Sequence, residues 1–341
     1  MDLALLYREI ELRIRKVDFS AVWKGFYPLR FAVYTDEQCY FDGNYIEKTD
    51  AFCANTAIQW GDEYIAIWNI TENPEDMDAL AASIIHEMFH AFQRTSGERR
   101  FPDEREALFQ YRYFADNLST KRAEAECMRA ILEANDLDAY SGLLSLRKKR
   151  AEDYPYEYEY EARVEQIEGT ANFVELSALA QLDEEKGNLA WKRLLDRLAL
   201  PESYFPIRRI CYETGAAMIA CIKRCSSIDC EGFRELPFSC EVLAGVNGGA
   251  AANDAEMEEC LNRYLDETHR MIVSAVEKND CVLKGEYPLI SVNIWDARRE
   301  GRYATSNRLL IYADGEEQKV IYGDFVVEVD TGYNVLSVFR Q

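Results

Sequence analysis

The chain has 341 residues, 48% of them hydrophobic, with 39 basic against 61 acidic side chains and a formal net charge of −22. That length supports a substantial core and two or three structural units. Such acidity repels nucleic acid and anionic membrane surfaces, and no stretch approaches the roughly 20 apolar residues of a membrane span, so neither partner is expected.

The first residues, Met1-Asp2-Leu3-Ala4-Leu5-Leu6-Tyr7-Arg8-Glu9-Ile10, mix charge into an apolar run and lack the pattern of a secretory leader, which predicts a cytoplasmic protein. The ten cysteines include no Cys-x-x-Cys pair, and most sit in apolar segments as small reduced hydrophobes. Cys221, Cys225 and Cys230 come nearest to ligand spacing. A helix is expected over residues 2–16, then strands at 29–34 and 63–70 within a sheet spanning about 28–70, the second strand following a Gly61-Asp62 turn signal. The segment from Ile65 to Asn69 is the natural candidate for an exposed edge that pairs with an extended peptide.

A helix over about 74–96 carries the most informative string, His86-Glu87-Met88-Phe89-His90, which uses two of the three histidines. Asn73-Pro74-Glu75-Asp76 supplies a start signal and Ser96-Gly97 a stop. Residues four apart lie one turn apart on the same face, so both imidazoles can reach one metal ion, the geometry of a zinc site. Glu87 is rotated about 100° from His86 and serves better as a base, taking a proton from an activated water, than as a ligand. The apolar stripe Leu80, Ile84, Ile85, Met88, Phe89 and Phe92 leaves both histidines outside it.

Helical periodicity continues over about 102–150, ending in the basic run Arg147-Lys148-Lys149-Arg150, which reads as a solvated helix end. An aromatic and acidic alternation, Tyr154 to Glu161, leads into a helix over about 161–182. There Val164, Ile167, Ala171, Val174 and Ala178 form a stripe bordered by Glu168 and Glu175. Carboxylates at a core's edge need a cation or donors to offset desolvation, and a metal held by His86 and His90 is one such cation.

H-E-x-x-H followed by a helix bearing Glu168-Gly169 and then Phe173 and Glu175 resembles the gluzincin group of zinc metallopeptidases, which includes the thermolysin-like enzymes and the zinc aminopeptidases. The resemblance covers the two helices, about forty residues. It implies that Glu168 is the third zinc ligand, with Glu165, one turn earlier, as its rival, and that Glu175 orients the site. It also implies an oxyanion-holding residue on a later helix, for which Tyr212 is the candidate and Tyr204 the next. The aminopeptidase branch's G-x-M-E-N-like strand is missing, and the insert between His90 and Glu168 is longer than that branch carries.

Further helices are expected over 184–198, from about 204, and over 254–277, the last bearing His269 with no ligand at metal spacing. Between them lies a flexible connection, Gly245 to Asn253. From Cys281 the period switches to two, with strands at 289–294, 308–312, 319–322, 325–329 and 335–339 separated by Asp314-Gly315, Gly323-Asp324 and Thr331-Gly332. The expected fold is therefore α+β and zincin-like. Residues 1–280 form a small N-terminal mixed sheet with a mostly helical body, and 281–341 form a C-terminal all-β unit. The expected function is zinc-dependent hydrolysis of peptide or protein substrates, with one Zn²⁺ per chain held by His86, His90 and Glu168, Glu87 as general base, Tyr212 on the oxyanion and Glu175 in support. Two alternatives use the same residues. One is a binding or regulatory protein that keeps the scaffold without catalysis. The other is a di-iron carboxylate site, since Glu87-Met88-Phe89-His90 is also Glu-x-x-His, although Asp266-Glu267-Thr268-His269 offers only an aspartate where a second copy is needed.

Overall fold

The structure, a computed structural model, describes residues 2–232 and 235–341. Helix α1 (Leu3–Ile14) starts where the Asp2 carboxylate accepts the backbone N–H groups of Ala4 and Leu5. A short α2 (Phe19–Val22) leads into β1 (Phe31–Tyr34), β2 (Cys39–Phe41), β3 (Asn44–Ile46), β4 (Thr56–Trp60) and β5 (Glu63–Asn69). They form a sheet in the order β3-β2-β1-β5-β4, in which β1 and β5 are parallel and all other neighbours antiparallel. The expected small mixed sheet is present.

The strand expected at the edge is not there. β5 lies between β1 and β4, so the edge strand on that side is β4. Gly61, at φ +61°, and Asp62 make a two-residue turn that folds β4 back on β5, with Trp60 opposite Glu63. The turn is legible in the sequence, whereas Thr56-Ala57-Ile58-Gln59-Trp60 alternates too weakly to announce a strand.

Helix α3 (Met77–Thr95) packs against β5 and begins three residues later than its start signal suggests, because Asp76, not Asn73, accepts the free N–H groups of Asp78 and Ala79 at 2.9 and 3.1 Å. The body continues with α4 (Glu104–Gln110), α5 (Ala115–Ala134), α6 (Ala139–Asp153) and α7 (Pro155–Val164). A π turn, Glu165–Gly169, joins α7 to α8 (Thr170–Leu182). Then follow α9 (Glu184–Ala199), α10 (Ile207–Cys225), the short α11 (Phe238–Glu241) and α12 (Ala255–Lys278). Ile85, Met88 and Phe89 of α3, Val174 of α8 and Ala217 of α10 meet in one core. No helix among the described residues is long and apolar enough to cross a membrane.

Two glycines set the distance between α10 and the π turn. A Cβ on Gly169 would lie 2.5 Å from the Gly215 Cα, and one on Gly215 would lie 2.7 Å from the Gly169 Cα. The two backbones therefore touch, which brings the first turns of α10 over the carboxylate of Glu168.

The basic run at the end of α6 is not a solvated helix end. Lys148 and Lys149 face outward toward Glu152 and Asp153, but Arg147 and Arg150 are each 1% exposed. With Lys121 they balance three buried carboxylates, Glu124, Glu161 and Glu165. Arg147 grips Glu165 through two bonds of 2.8 Å, and Arg150 and Lys121 share one Glu161 oxygen at 2.5 and 2.7 Å. The partners come from α5, α7 and the π turn, a pairing that a run of basic letters does not disclose. Glu165 is thereby spent inside the helical body, receiving Thr214 and Ser239 as well, and is no rival for the metal.

The chain then forms β6 (Cys281–Val292), β7 (Arg299–Glu300), β8 (Tyr303–Ser306), β9 (Leu309–Asp314), β10 (Glu317–Tyr322), β11 (Phe325–Val329) and β12 (Asn334–Arg340). They make one antiparallel sheet ordered β10-β9-β6-β12-β11-β8-β7. β7 and β8 are additions to the strands expected. The sheet packs on α12 through Ile272, Ala275, Val326 and Phe339, and Leu108 and Phe109 of α4 pack on its other cluster.

Burial alone would raise the Glu161 and Glu165 carboxyls, but Arg150 and Lys121 hold Glu161 down at about 2, and Arg147 and Lys121 hold Glu165 well below the usual range. Carboxyls depressed in the folded state stabilise it fully above their unfolded value, near pH 4.3, and cease to do so as the pH falls through the folded value. Burial lifts Glu124 instead, so its contribution runs the other way. Unfolding free energy measured by denaturant titration should fall steeply below about pH 4. Glu165→Gln, which leaves Arg147 buried without its charge partner, should cost about 3–5 kcal/mol at pH 7 and flatten that acid limb.

Candidate metal centre

His86 and His90 project from successive turns of α3 with ring centroids 4.8 Å apart. The Glu168 carboxylate on the π turn faces them, one oxygen lying 3.1 Å from the His90 Nε2 and 3.7 Å from the His86 Nε2. Ligand atoms of these three residues all lie within 4.8 Å of one another, and they are the group of three or more potential ligands that converges among the described residues. Of the two glutamates weighed from sequence, Glu168 is therefore the one brought to the histidines.

The hydrogen bonds around the triad fix which ring nitrogens are free. Gln93 donates its amide nitrogen to the Ile167 carbonyl and the Thr170 hydroxyl oxygen, both at 2.9 Å. Its amide oxygen must then face His90, whose Nδ1 donates to it at 2.9 Å. On the other ring, Ser83 donates to one Glu175 oxygen at 2.8 Å, and the second Glu175 oxygen accepts from the His86 Nδ1 at 3.0 Å. Both Nδ1 atoms are committed outward, so both Nε2 atoms aim at the space before Glu168. This outer ring of acceptors is what metal-bound imidazoles require. Two imidazoles and a carboxylate with one side left open suit a divalent transition-metal cation.

The other Glu168 oxygen accepts from Arg208 Nη2 at 2.7 Å. Arg208, one turn before Tyr212 on α10, also donates to Glu104 at 2.9 Å and to the Tyr212 hydroxyl oxygen at 2.5 Å. Tyr212 lies with its ring nearly parallel to that of His86, centroids 6.2 Å apart, while Trp295 of the β unit meets it edge-on at 5.4 Å. Tyr204 is fully buried and donates to the Leu198 carbonyl, leaving it no part here. His269 sits exposed on α12 against Glu300, outside the converging group, and so cannot serve a second metal beside the first.

Electrostatics separate the acids. Burial would raise Glu168, but His90, Arg208 and His86 together hold it well below the ordinary range, and bonds from His86 and Ser83 likewise keep Glu175 ionised. Glu87 goes the other way. Burial lifts its carboxyl, the neighbouring histidines offset only part of this, and no donor among the described residues bonds it. Burial and the Glu168 charge keep the Tyr212 phenol neutral far above its usual range.

Sequence reasoning passed over Ser83, Gln93, Thr170, Arg208, Glu104 and Trp295. Ser83 and Gln93 were within reach, since each lies three residues from a histidine on the same helix face. Arg208 is one turn from Tyr212 but depends on the Gly169–Gly215 crossing, and Glu104 and Trp295 have no local signal at all. Compared with protein-family models, with curated proteins and with solved structures, the chain has no match.

In the metal-free site burial would depress the His86 imidazole, yet Glu168 and Glu175 outweigh it and lift it to about 10. A proton then stands where the cation would bind, and metal uptake near neutral pH must expel it. Zinc affinity measured by competition with a chromophoric chelator should rise by up to about tenfold per pH unit between pH 6 and 9, with one proton released per ion. A pH-independent affinity would contradict this arrangement.

Proposed function

We propose that the chain is a zinc-dependent peptidase of the gluzincin type, with His86, His90 and Glu168 holding the ion. The observation that carries this reading is the pairing of three converging ligands with Glu87, a half-buried carboxylate beside them that no donor among the described residues bonds. The same donor set suits ferrous iron. Hydrolysis, unlike oxidation, needs a base at this spot, and Glu87 is the residue present. A zinc ion supplies a Lewis acid that acidifies water and polarises a carbonyl.

The protein's own groups divide the remaining work. Glu87, whose carboxyl desolvation raises, takes the proton of the attacking water and returns it to the leaving nitrogen. Tyr212 is a neutral phenol that accepts from Arg208 and bonds Glu168, which keeps its hydroxyl beside the ligands, where it can turn its proton to the oxygen that gains charge. Arg208 holds Glu168 and Tyr212 in one register. β4, the free edge of the sheet on which α3 packs, offers backbone groups to an extended substrate.

Glu87→Gln should retain one zinc per chain and lose at least about 10²-fold in peptide cleavage, while Tyr212→Phe should lose about 10- to 10³-fold with little change in metal content. Zinc content by elemental analysis and cleavage of a peptide library, with and without chelator, check both. Retained cleavage in Glu87→Gln would sink the base assignment. One iron per chain in place of zinc would sink the hydrolytic reading.

A further inference from the structure

Arg208, which bonds Glu168, also lines a cleft of about 210 Å³ between the helical body and the β unit. Its charged lining is Glu104, Arg112, Arg208 and Arg299, and tyrosines furnish much of the rest. Glu104 is already engaged, accepting from Arg208 and from the Tyr160 hydroxyl, each at 2.9 Å. Among the described residues the other two arginines have no such partner. Arg299 reaches only backbone carbonyls, those of Gly301 at 3.3 Å and Tyr111 at 3.5 Å. The Arg112 guanidinium meets no carboxylate among the described residues, for Glu157 accepts the Arg112 backbone N–H instead.

Arg112 is exposed and Arg299 half-buried, so the cleft presents two guanidinium groups that meet no acid among the described residues. Arg299 is partly buried and feels the positive charge of Arg112, and both effects work against its own charge. Two like charges at one cleft repel, and a bound anion would relieve that repulsion. The high net negative charge of the chain disfavours a polyanion, whereas a single carboxylate matches the planar fork of an arginine and fits the size of the cleft.

We propose that Arg112 and Arg299 form a carboxylate-binding subsite next to the metal centre, one that selects peptides by a C-terminal α-carboxylate or an Asp or Glu side chain. This rests on the peptidase reading for its substrate class. Arg208, which lines the cleft and bonds Glu168, links the subsite to the triad.

The test is peptide binding to the full chain carrying Glu87→Gln and loaded with zinc, measured by calorimetry. Three peptides share one neutral core: one with a free C-terminus, one amidated, and one amidated with a single internal Glu. At least one acid-bearing peptide should bind about tenfold or more tighter than the neutral amide. Arg299→Ala and Arg112→Ala should each erase most of that preference and leave zinc content and the neutral amide's affinity unchanged, while Arg299→Lys keeps part of it. Whichever acid-bearing peptide gains identifies the source of the carboxylate. Equal affinities, no binding by any peptide, or equal weakening of acid and neutral peptides in the arginine variants would overturn the subsite. Cleavage by the parent chain is scored separately. Acid-selective binding without cleavage defeats the hydrolase reading and leaves the subsite standing, and cleavage without acid preference does the reverse.

Discussion

The site depends on how one carboxylate is shared. Glu168 turns one oxygen to the Nε2 atoms of two histidines and the other to Arg208, so that a single side chain ties α3, the π turn and α10 together. An ionised group this deeply placed is tolerable only with compensating charge, and here it comes from a guanidinium on one side and, in the metal-free protein, from the His86 imidazolium on the other. Replacing that proton by a divalent cation keeps the balance and changes the chemistry. The close approach of Gly169 to Gly215 makes the sharing possible, because α10 could not carry Arg208 over the carboxylate if either residue bore a side chain.

A second set of charges holds the scaffold. Glu165 and Glu168 are three residues apart, yet one is buried against Arg147 and Lys121 while the other faces the histidines. The π turn between α7 and α8 widens the angle between them beyond that of an ordinary helix, a use of this irregularity that recurs at functional sites. The buried ion network thus sits directly behind the ligand-bearing turn and anchors it to α5 and α6. Its role is to position, since none of its members reaches the open side of the triad.

Much of this was legible in the letters, and the failures have physical causes. The pairing of His86 and His90 follows from helix periodicity, whereas the second apolar stripe only placed Glu168 and Glu175 at its border and the choice of Glu168 as ligand rested on the resemblance. Tyr212 came only by resemblance. The alternation of the last sixty residues announced an all-β unit, though β7 and β8 are too short to stand out. Tertiary pairing is where the sequence falls silent. Arg147 and Arg150 look like solvent-facing charges until the acids of α5, α7 and the π turn surround them. Ile65 to Asn69 reads as an edge because β4 alternates too weakly to be recognised as its outer neighbour. Glu104 and Trp295 reach the site from elements remote in the chain, and no local pattern marks them.

The proposed function rests on one zinc ion between His86, His90 and Glu168. Anomalous diffraction from crystals of the zinc-loaded chain, collected on either side of the zinc absorption edge, tests it most directly. The account requires one strong peak bonded to both Nε2 atoms and a Glu168 oxygen at about 2.0–2.2 Å. A peak elsewhere, or a triad that stays closed on its own proton at saturating zinc, would contradict it.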